Sequence, residues 1–286
     1  MSVLNQSFKY LEPIVKRWNF AKPLIVGLEG PQGSGKTYVT TELVDLLSAR
    51  FNHLNIVRFS IDDFYLTYNE QLEVNAKNEG NILLQGRGLP GTHDLKLLLE
   101  CFEQIESGNS NVAIPFYDKS LKNGKGDRAP ISQWTQTSGR KIDIVLFEGW
   151  LNGYLAYDND QDLVSRWLEI QKAYKPKFDN LKIEHIIKLN SDLTQYLSIW
   201  KKFDQFIYIT TCDITNVYTW RLQQEHALIK QKGMGMSDTE VEQFIDRYMP
   251  AYHLFYSKLP EMTKYVESCI NFDIGLDRKI AKQSHY

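Results

Sequence analysis

Pro23-Leu24-Ile25-Val26-Gly27-Leu28-Glu29-Gly30-Pro31-Gln32-Gly33-Ser34-Gly35-Lys36-Thr37 is the stretch on which the reading of the fold turns. Residues 30–37 match GxxxxGK[ST] in full. The apolar run ahead of them has the form of a buried parallel strand. Residues 37–50 read as a helix, because Val39, Leu43, Leu46 and Leu47 share one face. A strand, a glycine-rich turn and a helix in this order build a phosphate cradle. Glycines let backbone N–H groups turn inward, and the helix N-terminus adds a positive partial charge. Lys36 can bridge the β- and γ-phosphates, and the Thr37 hydroxyl can ligate Mg²⁺. Gly30, Pro31, Gln32, Gly33, Ser34, Gly35, Lys36 and Thr37 are therefore the expected nucleotide-binding residues, with ATP and Mg²⁺ as cofactors. The Asn-Lys-x-Asp segment that accompanies guanine specificity is absent from the sequence.

Further strands are expected at 55–60, 143–147, 206–209 and 269–274, and helices at 94–106, 161–174, 193–203, 214–230 and 237–258. Leu4, Phe8, Leu11, Val15 and Trp18 fall at helical spacing and predict a helix docked on the core. Strands alternating with helices argue for an α/β fold around a parallel sheet. Residues 62–141 are too long for a simple crossover and carry glycines at 80, 86, 88, 91, 124, 126 and 139. They read as an insertion on the ligand face of a single domain spanning 1–286.

Composition sets the outer limits. Hydrophobic residues are 43% and charged residues 24% of 286, which excludes wholesale disorder. Lys and Arg number 33 against 35 acidic residues, so the basic excess of a nucleic-acid binder is missing. Cys101, Cys212 and Cys269 form no CxxC, which suggests a reducing compartment without a zinc site. No apolar run approaches the ~20 residues of a membrane span. Asn5, Gln6, Lys9 and Glu12 interrupt any signal-peptide core. The expectation is a monomeric protein of the cytoplasm, extending to the nucleus, that binds neither nucleic acid nor membrane.

Two carboxylate positions stand at expected strand tips. Asp62 and Asp63 follow the second strand, where ligands of open α/β sheets bind. An aspartate there can take a proton from an acceptor hydroxyl or help order Mg²⁺; either one could instead cap the next helix. Glu148 ends an apolar strand in the Walker B manner and could hold a water of Mg²⁺.

The phosphate-binding loop is followed, in order, by Ser60-x-Asp62-Asp63-Phe64-Tyr65, Gly-Leu-Pro-Gly-Thr-His-Asp at 88–94, Pro-Phe-Tyr-Asp-Lys-Ser at 115–120, Gly-Asp-Arg at 126–128 and Phe-Glu-Gly-Trp at 147–150. This ordered set resembles the D-glycerate 3-kinase-like family of plants and fungi, within the wider group of phosphoribulokinases, uridine kinases and pantothenate kinases. The resemblance covers residue 23 to the C-terminus. It implies a three-layer P-loop kinase fold with about five parallel strands in the order 2-3-1-4-5, and transfer of the ATP γ-phosphate to a hydroxyl of a small molecule. It makes glycerate, giving 3-phosphoglycerate, the first acceptor to test. Within the same reading stand a nucleoside or pantothenate-type kinase and a non-catalytic, regulatory ATP-binding protein.

Site roles follow from the same resemblance. Asp62 is the catalytic base, working with Lys36 and Arg221. Tyr65, Arg87, His93, Asp94, Tyr117 and Lys119 bind the acceptor, and Thr37 and Glu148 serve the metal. Trp220 to Glu225 resembles the start of a lid over 221–240, with Arg221 on the transferring phosphate. Blander roles stay open from the residues alone. His93 could be a turn residue, Lys119 and Arg128 part of a solvated loop, and Arg221 a partner of Glu225 at i+4.

Overall fold

The computed structural model describes residues 2–137 and 139–286, with Lys232 by its backbone alone. Helix α1 (Val3–Arg17) is capped by Ser2, whose side chain accepts from the Asn5 N–H, and buries Leu11 and Val15. Strand β1 (Leu24–Glu29) has every residue buried, as its unbroken apolar run requires. Helix α2 (Lys36–Arg50) starts after Gly35 and packs on β1, β2 (Ile56–Ser60) and α1.

The inserted region holds short elements. A 3₁₀ turn at Ile61–Phe64 leads to α3 (Tyr68–Lys77), and Asp94 caps α4 (Leu95–Glu106). β3 (Ala113–Ile114), β4 (Tyr117–Asp118), β5 (Asp127–Arg128) and β6 (Thr135–Gln136) follow, pairing antiparallel as β3 with β6 and β4 with β5. The chain then returns to the sheet in β7 (Ile144–Gly149). Helices α5 (Asp160–Ala173), α6 (Ile183–Thr194) and the one-turn α7 (Leu197–Trp200) precede β8 (Gln205–Thr210). The long antiparallel pair α8 (Asn216–Lys232) and α9 (Asp238–Phe255) leads through a 3₁₀ segment to β9 (Ser268–Ile274) and β10 (Ile280–His285).

The sheet order is β10-β9-β8-β1-β7-β2. Its five parallel strands keep the expected 2-3-1-4-5 arrangement as β2-β7-β1-β8-β9, and the difference is one of count. A sixth strand, β10, adds antiparallel to β9. Its residues, Ile-Ala-Lys-Gln-Ser-His, are mostly exposed, so no apolar run announced it; Lys282 on this edge also discourages further pairing. The helix expected at 193–203 is corrected: α6 ends at Thr194 and only Leu197–Trp200 continues as helix. His185, Asn190 and Asp192 are buried in α6, and these polar residues obscure its apolar period. The helix expected to run from 237 to 258 stops at Phe255 and tightens to 3₁₀. No described helix is long and apolar enough to cross a membrane.

An aromatic layer fills the space beside β1. Phe102 lies 5.5 Å from Phe59 and 5.3 Å from Phe147, and Phe147 lies 6.0 Å from Phe203, ring to ring. Gly27 lets Phe203 rest directly on the β1 backbone, since a Cβ at this position would overlap that ring. Gly27→Ala should therefore force the ring aside and cost about 1–3 kcal/mol. Urea unfolding measures this loss, and a midpoint equal to wild type would show that the layer yields freely.

Candidate active site

The C-terminal tips of β1, β7 and β2 lie side by side, with Glu29 opposite Gly149 and Ser60 opposite Glu148. Three chemically loaded turns therefore meet at one sheet edge. In the glycine loop, Gly33 (φ 78°) and Gly35 (φ 96°) adopt the left-handed conformation that glycine favours. The Ser34 N–H donates to the Pro31 carbonyl at 3.1 Å, and the Gln32 N–H donates to the Tyr252 hydroxyl at 3.0 Å. Lys36 and Thr37 open α2, and the Thr37 hydroxyl makes no hydrogen bond among the described residues.

The Ser60–Tyr65 turn divides its two aspartates. Ser60 caps the turn by accepting from the Asp62 N–H at 3.2 Å, and Asp63 closes it by accepting from the Ser60 N–H at 2.9 Å. Asp63 is thus engaged with the backbone. Burial, with Asp62 and Glu148 nearby, raises its carboxyl to about 6 against the lowering effect of the Ser60 hydrogen bond. Asp62 is left free for side chains: it accepts from the Tyr65 hydroxyl at 2.8 Å and pairs with Lys119 at 2.6 Å. Burial alone would raise Asp62, but Lys119, Lys36 and the Tyr65 hydroxyl together hold its carboxyl well below the usual range. The same pairing raises Lys119. Glu148 is buried at the β7 tip, where Thr40 donates to it at 3.1 Å and Arg58 lies 3.6 Å away.

Aromatic rings pack beside Asp62. Tyr65 stacks on His93 at 4.6 Å and meets Tyr117 edge-on at 5.2 Å. His93 is buried, its Nδ1 is 2.6 Å from the Tyr196 hydroxyl, and its Nε2 has no partner among the described residues. Burial outweighs the nearby Asp62 charge and lowers His93 to about 4, so the ring is neutral near pH 7. The Arg87 guanidinium lies over Tyr117 and donates to the carbonyls of Gly124 and Lys125. Asp94 caps α4 through the Leu97 N–H and pairs with Arg128 at 3.0 Å, so both its oxygens are already engaged.

The structure thus gathers Lys36, Tyr65, Arg87, His93, Tyr117 and Lys119 around Asp62. Arg221 is not joined to this cluster. It pairs with Glu225 at 2.7 Å, its guanidinium lies over Phe244, and Glu225 in turn accepts from the Met236 N–H.

Four neighbours of the site are not singled out by the sequence motifs. Arg247 donates to the Arg87 carbonyl at 2.5 Å, and Tyr248 approaches the same carbonyl at 3.3 Å. The spacing Tyr248, Tyr252, Tyr256 places three rings on one face of α9 and its extension. That spacing was the available signal, though it reads equally well as packing. Glu29, at the end of β1, is wholly buried with neither carboxyl oxygen bonded among the described residues, and burial pushes it well above the usual range despite Lys36. Arg278, from the C-terminal hairpin, donates to the Gly33 carbonyl at 2.8 Å.

The arrangement can seat a polyphosphate in the glycine loop and hold an anionic, hydroxyl-bearing molecule beside Asp62. No family model matches the chain. It is 36% identical over 277 residues to "Uncharacterized kinase mug58" of Schizosaccharomyces pombe, covering 96% of each chain. It is 35% identical over 291 residues to "Probable ATP-dependent kinase TDA10" of Saccharomyces cerevisiae, covering 96% of this chain and 93% of that one. Its fold superposes on a D-glycerate 3-kinase from Cryptococcus neoformans with a TM-score of 0.90 and 33% identity across the whole of both chains.

His93 yields a pH prediction with a definite sign. Its folded value of about 4 lies below the unfolded 6.5, so its neutral burial stabilises fully above pH 6.5 and progressively less as pH falls toward 4. Asp63 acts oppositely, its contribution fading as pH rises through about 6. Wild type should therefore lose on the order of 3 kcal/mol more than His93→Gln between pH 7 and 4. Urea titrations at several pH values measure the difference, and parallel curves would show that His93 titrates normally.

Proposed function

Because the chain belongs to the D-glycerate 3-kinase-like family of P-loop kinases and is an ATP-dependent small-molecule kinase, we propose that its acceptor is a short hydroxy acid, glycerate first, phosphorylated to 3-phosphoglycerate. The observation that carries this reading is the Asp62–Lys119 pair within the field of Lys36. A carboxylate base, an exposed lysine cation and the phosphate-binding lysine stand together, which is what transfer from a polyphosphate to a hydroxyl on an anion requires.

The roles divide by element. The glycine loop, residues 30–37, holds the ATP phosphates, and Lys36 neutralises charge as the phosphoryl group moves. Asp62 takes the proton of the attacking hydroxyl. A carboxylate held far below pH 7 is a weak base, and the acceptor relieves this. When its own carboxylate draws Lys119 and Arg87, the cation leaves Asp62 and the affinity of Asp62 for a proton rises. Substrate binding thus prepares the base. Tyr65, His93 and Tyr117 enclose the carbon skeleton, and Asp94 with Arg128 fixes the far wall.

The donors present suit Mg²⁺. The Thr37 hydroxyl is unengaged, and Glu148, already held by Thr40 and Arg58, suits a metal-bound water. When bound, Mg²⁺ neutralises phosphate charge. Trp220 is buried against the glycine loop, and its neighbour Arg221 would reach the phosphate by leaving Glu225, with the distal part of 221–240 closing as a lid.

An acceptor panel with ATP, read by ³¹P NMR, tests this directly. Glycerate should turn over, whereas exclusive phosphorylation of a nucleoside or of pantothenate, or no turnover at all, would overturn it. Asp62→Asn should lower kcat by ~10²–10⁴ with ATP affinity kept, while Asp63→Asn costs less. Lys119→Ala should raise the acceptor KM more than the ATP KM, and an equal effect on both would remove Lys119 from the acceptor site.

A further inference from the structure

The turn between β9 and β10 contains a residue out of character with its backbone. Arg278 N–H donates to the Gly275 carbonyl at 2.9 Å, and Gly275 N–H donates to the Lys279 carbonyl at 3.0 Å, closing a tight loop. Within it Arg278 has φ 59°, a left-handed conformation that suits glycine or asparagine and strains a longer side chain. An arginine kept at such a position calls for a use of its side chain.

That side chain crosses to the glycine loop. Nε donates to the Gly33 carbonyl at 2.8 Å and a terminal nitrogen donates to the Gln223 side-chain carbonyl at 2.8 Å. The guanidinium lies 5.6 Å over the Trp220 ring. Trp220 is fully buried, and its ring N–H donates to the Leu276 carbonyl in the same turn at 2.8 Å. Gly33 has no room for a side chain, since a Cβ there would stand 2.6 Å from the Trp220 Cβ. Three remote segments, the glycine loop, the start of α8 and the C-terminal hairpin, thus share one joint. The Gly33–Ser34 peptide is held at both ends, its carbonyl by Arg278 and its N–H by Pro31. Were this peptide to rotate, the backbone N–H groups that follow would no longer converge on a phosphate.

The geometry points to Arg278 as a positioning residue for nucleotide binding, a fork that sets the glycine-loop peptide and couples it to the helix bearing Arg221. This rests on the phosphate-binding role given to residues 30–37, and not on the identity of the acceptor. Its fork geometry matters as well as its charge, because one guanidinium serves a backbone carbonyl and a side-chain amide at once.

Arg278→Gly separates this role from a structural one, because glycine relieves the left-handed strain while removing the fork. ATP affinity is measured by calorimetry without acceptor, so failure of glycerate as substrate leaves the result readable. The expected result is an unchanged or higher Tm, with the ATP Kd and KM raised about tenfold, the loss of one hydrogen bond to a charged group, and an acceptor KM changed less than about twofold. Arg278→Lys should restore little of the loss, and Gln223→Ala, which leaves the Gly33 bond intact, should show a smaller rise in ATP Kd. ATP affinity within about twofold of wild type in Arg278→Gly would overturn the inference. So would a lowered Tm accompanied by equal losses toward ATP and acceptor.

Discussion

The ion pair between Asp62 and Lys119 is the interaction on which the rest of the site depends. One partner stands in the 3₁₀ turn that directly follows β2, and the other on the loop that follows β4 in the insertion. Both side chains are partly open to water, so the pair adds little to folding. Its consequence is chemical: it holds the Asp62 carboxyl in its charged form, and in the proposed reaction it leaves a cation that an anionic acceptor can take over. Tyr65 completes the arrangement by donating to the second oxygen of Asp62 while its ring stacks on His93.

The sheet explains why these groups meet. β1, β7 and β2 are parallel and in register, so the residues leaving their ends share one edge. Adjacent aspartates then acquire different tasks from a single turn. Asp63 is spent on the Ser60 N–H and Asp62 is not. On the nucleotide side, Trp220, Tyr252 and Arg278 all touch the glycine loop, each through backbone or through a glycine with no room to spare. The loop is therefore held in shape by three segments distant in sequence, and its conformation is preorganised before any phosphate arrives.

Much of this was legible in the chain. The loop at 30–37 and the apolar runs of the parallel strands announced themselves, because a buried parallel strand is apolar throughout and a phosphate loop needs fixed glycines. Asp62, Tyr65 and Lys119 were found through the ordered motifs, and the structure brings them together. What escaped was tertiary in origin. β10 is exposed and polar, and α6 buries polar residues. Arg247, Tyr248 and Arg278 act through contacts with segments far away in sequence. Arg221 was the converse case: its sequence context fits a phosphate contact, yet its i+4 neighbour Glu225 holds it at 2.7 Å.

In the proposed reaction Lys119 holds Asp62 ionised until the acceptor's carboxylate draws the lysine away. The most direct measurement is a ¹³C NMR titration of the Asp62 carboxyl in the free enzyme, in the presence of glycerate, and in Lys119→Ala. The midpoint should lie well below the ordinary aspartate range in the free enzyme and shift upward both with glycerate and with loss of the lysine. A midpoint in the ordinary range, indifferent to Lys119 and to glycerate, would contradict it.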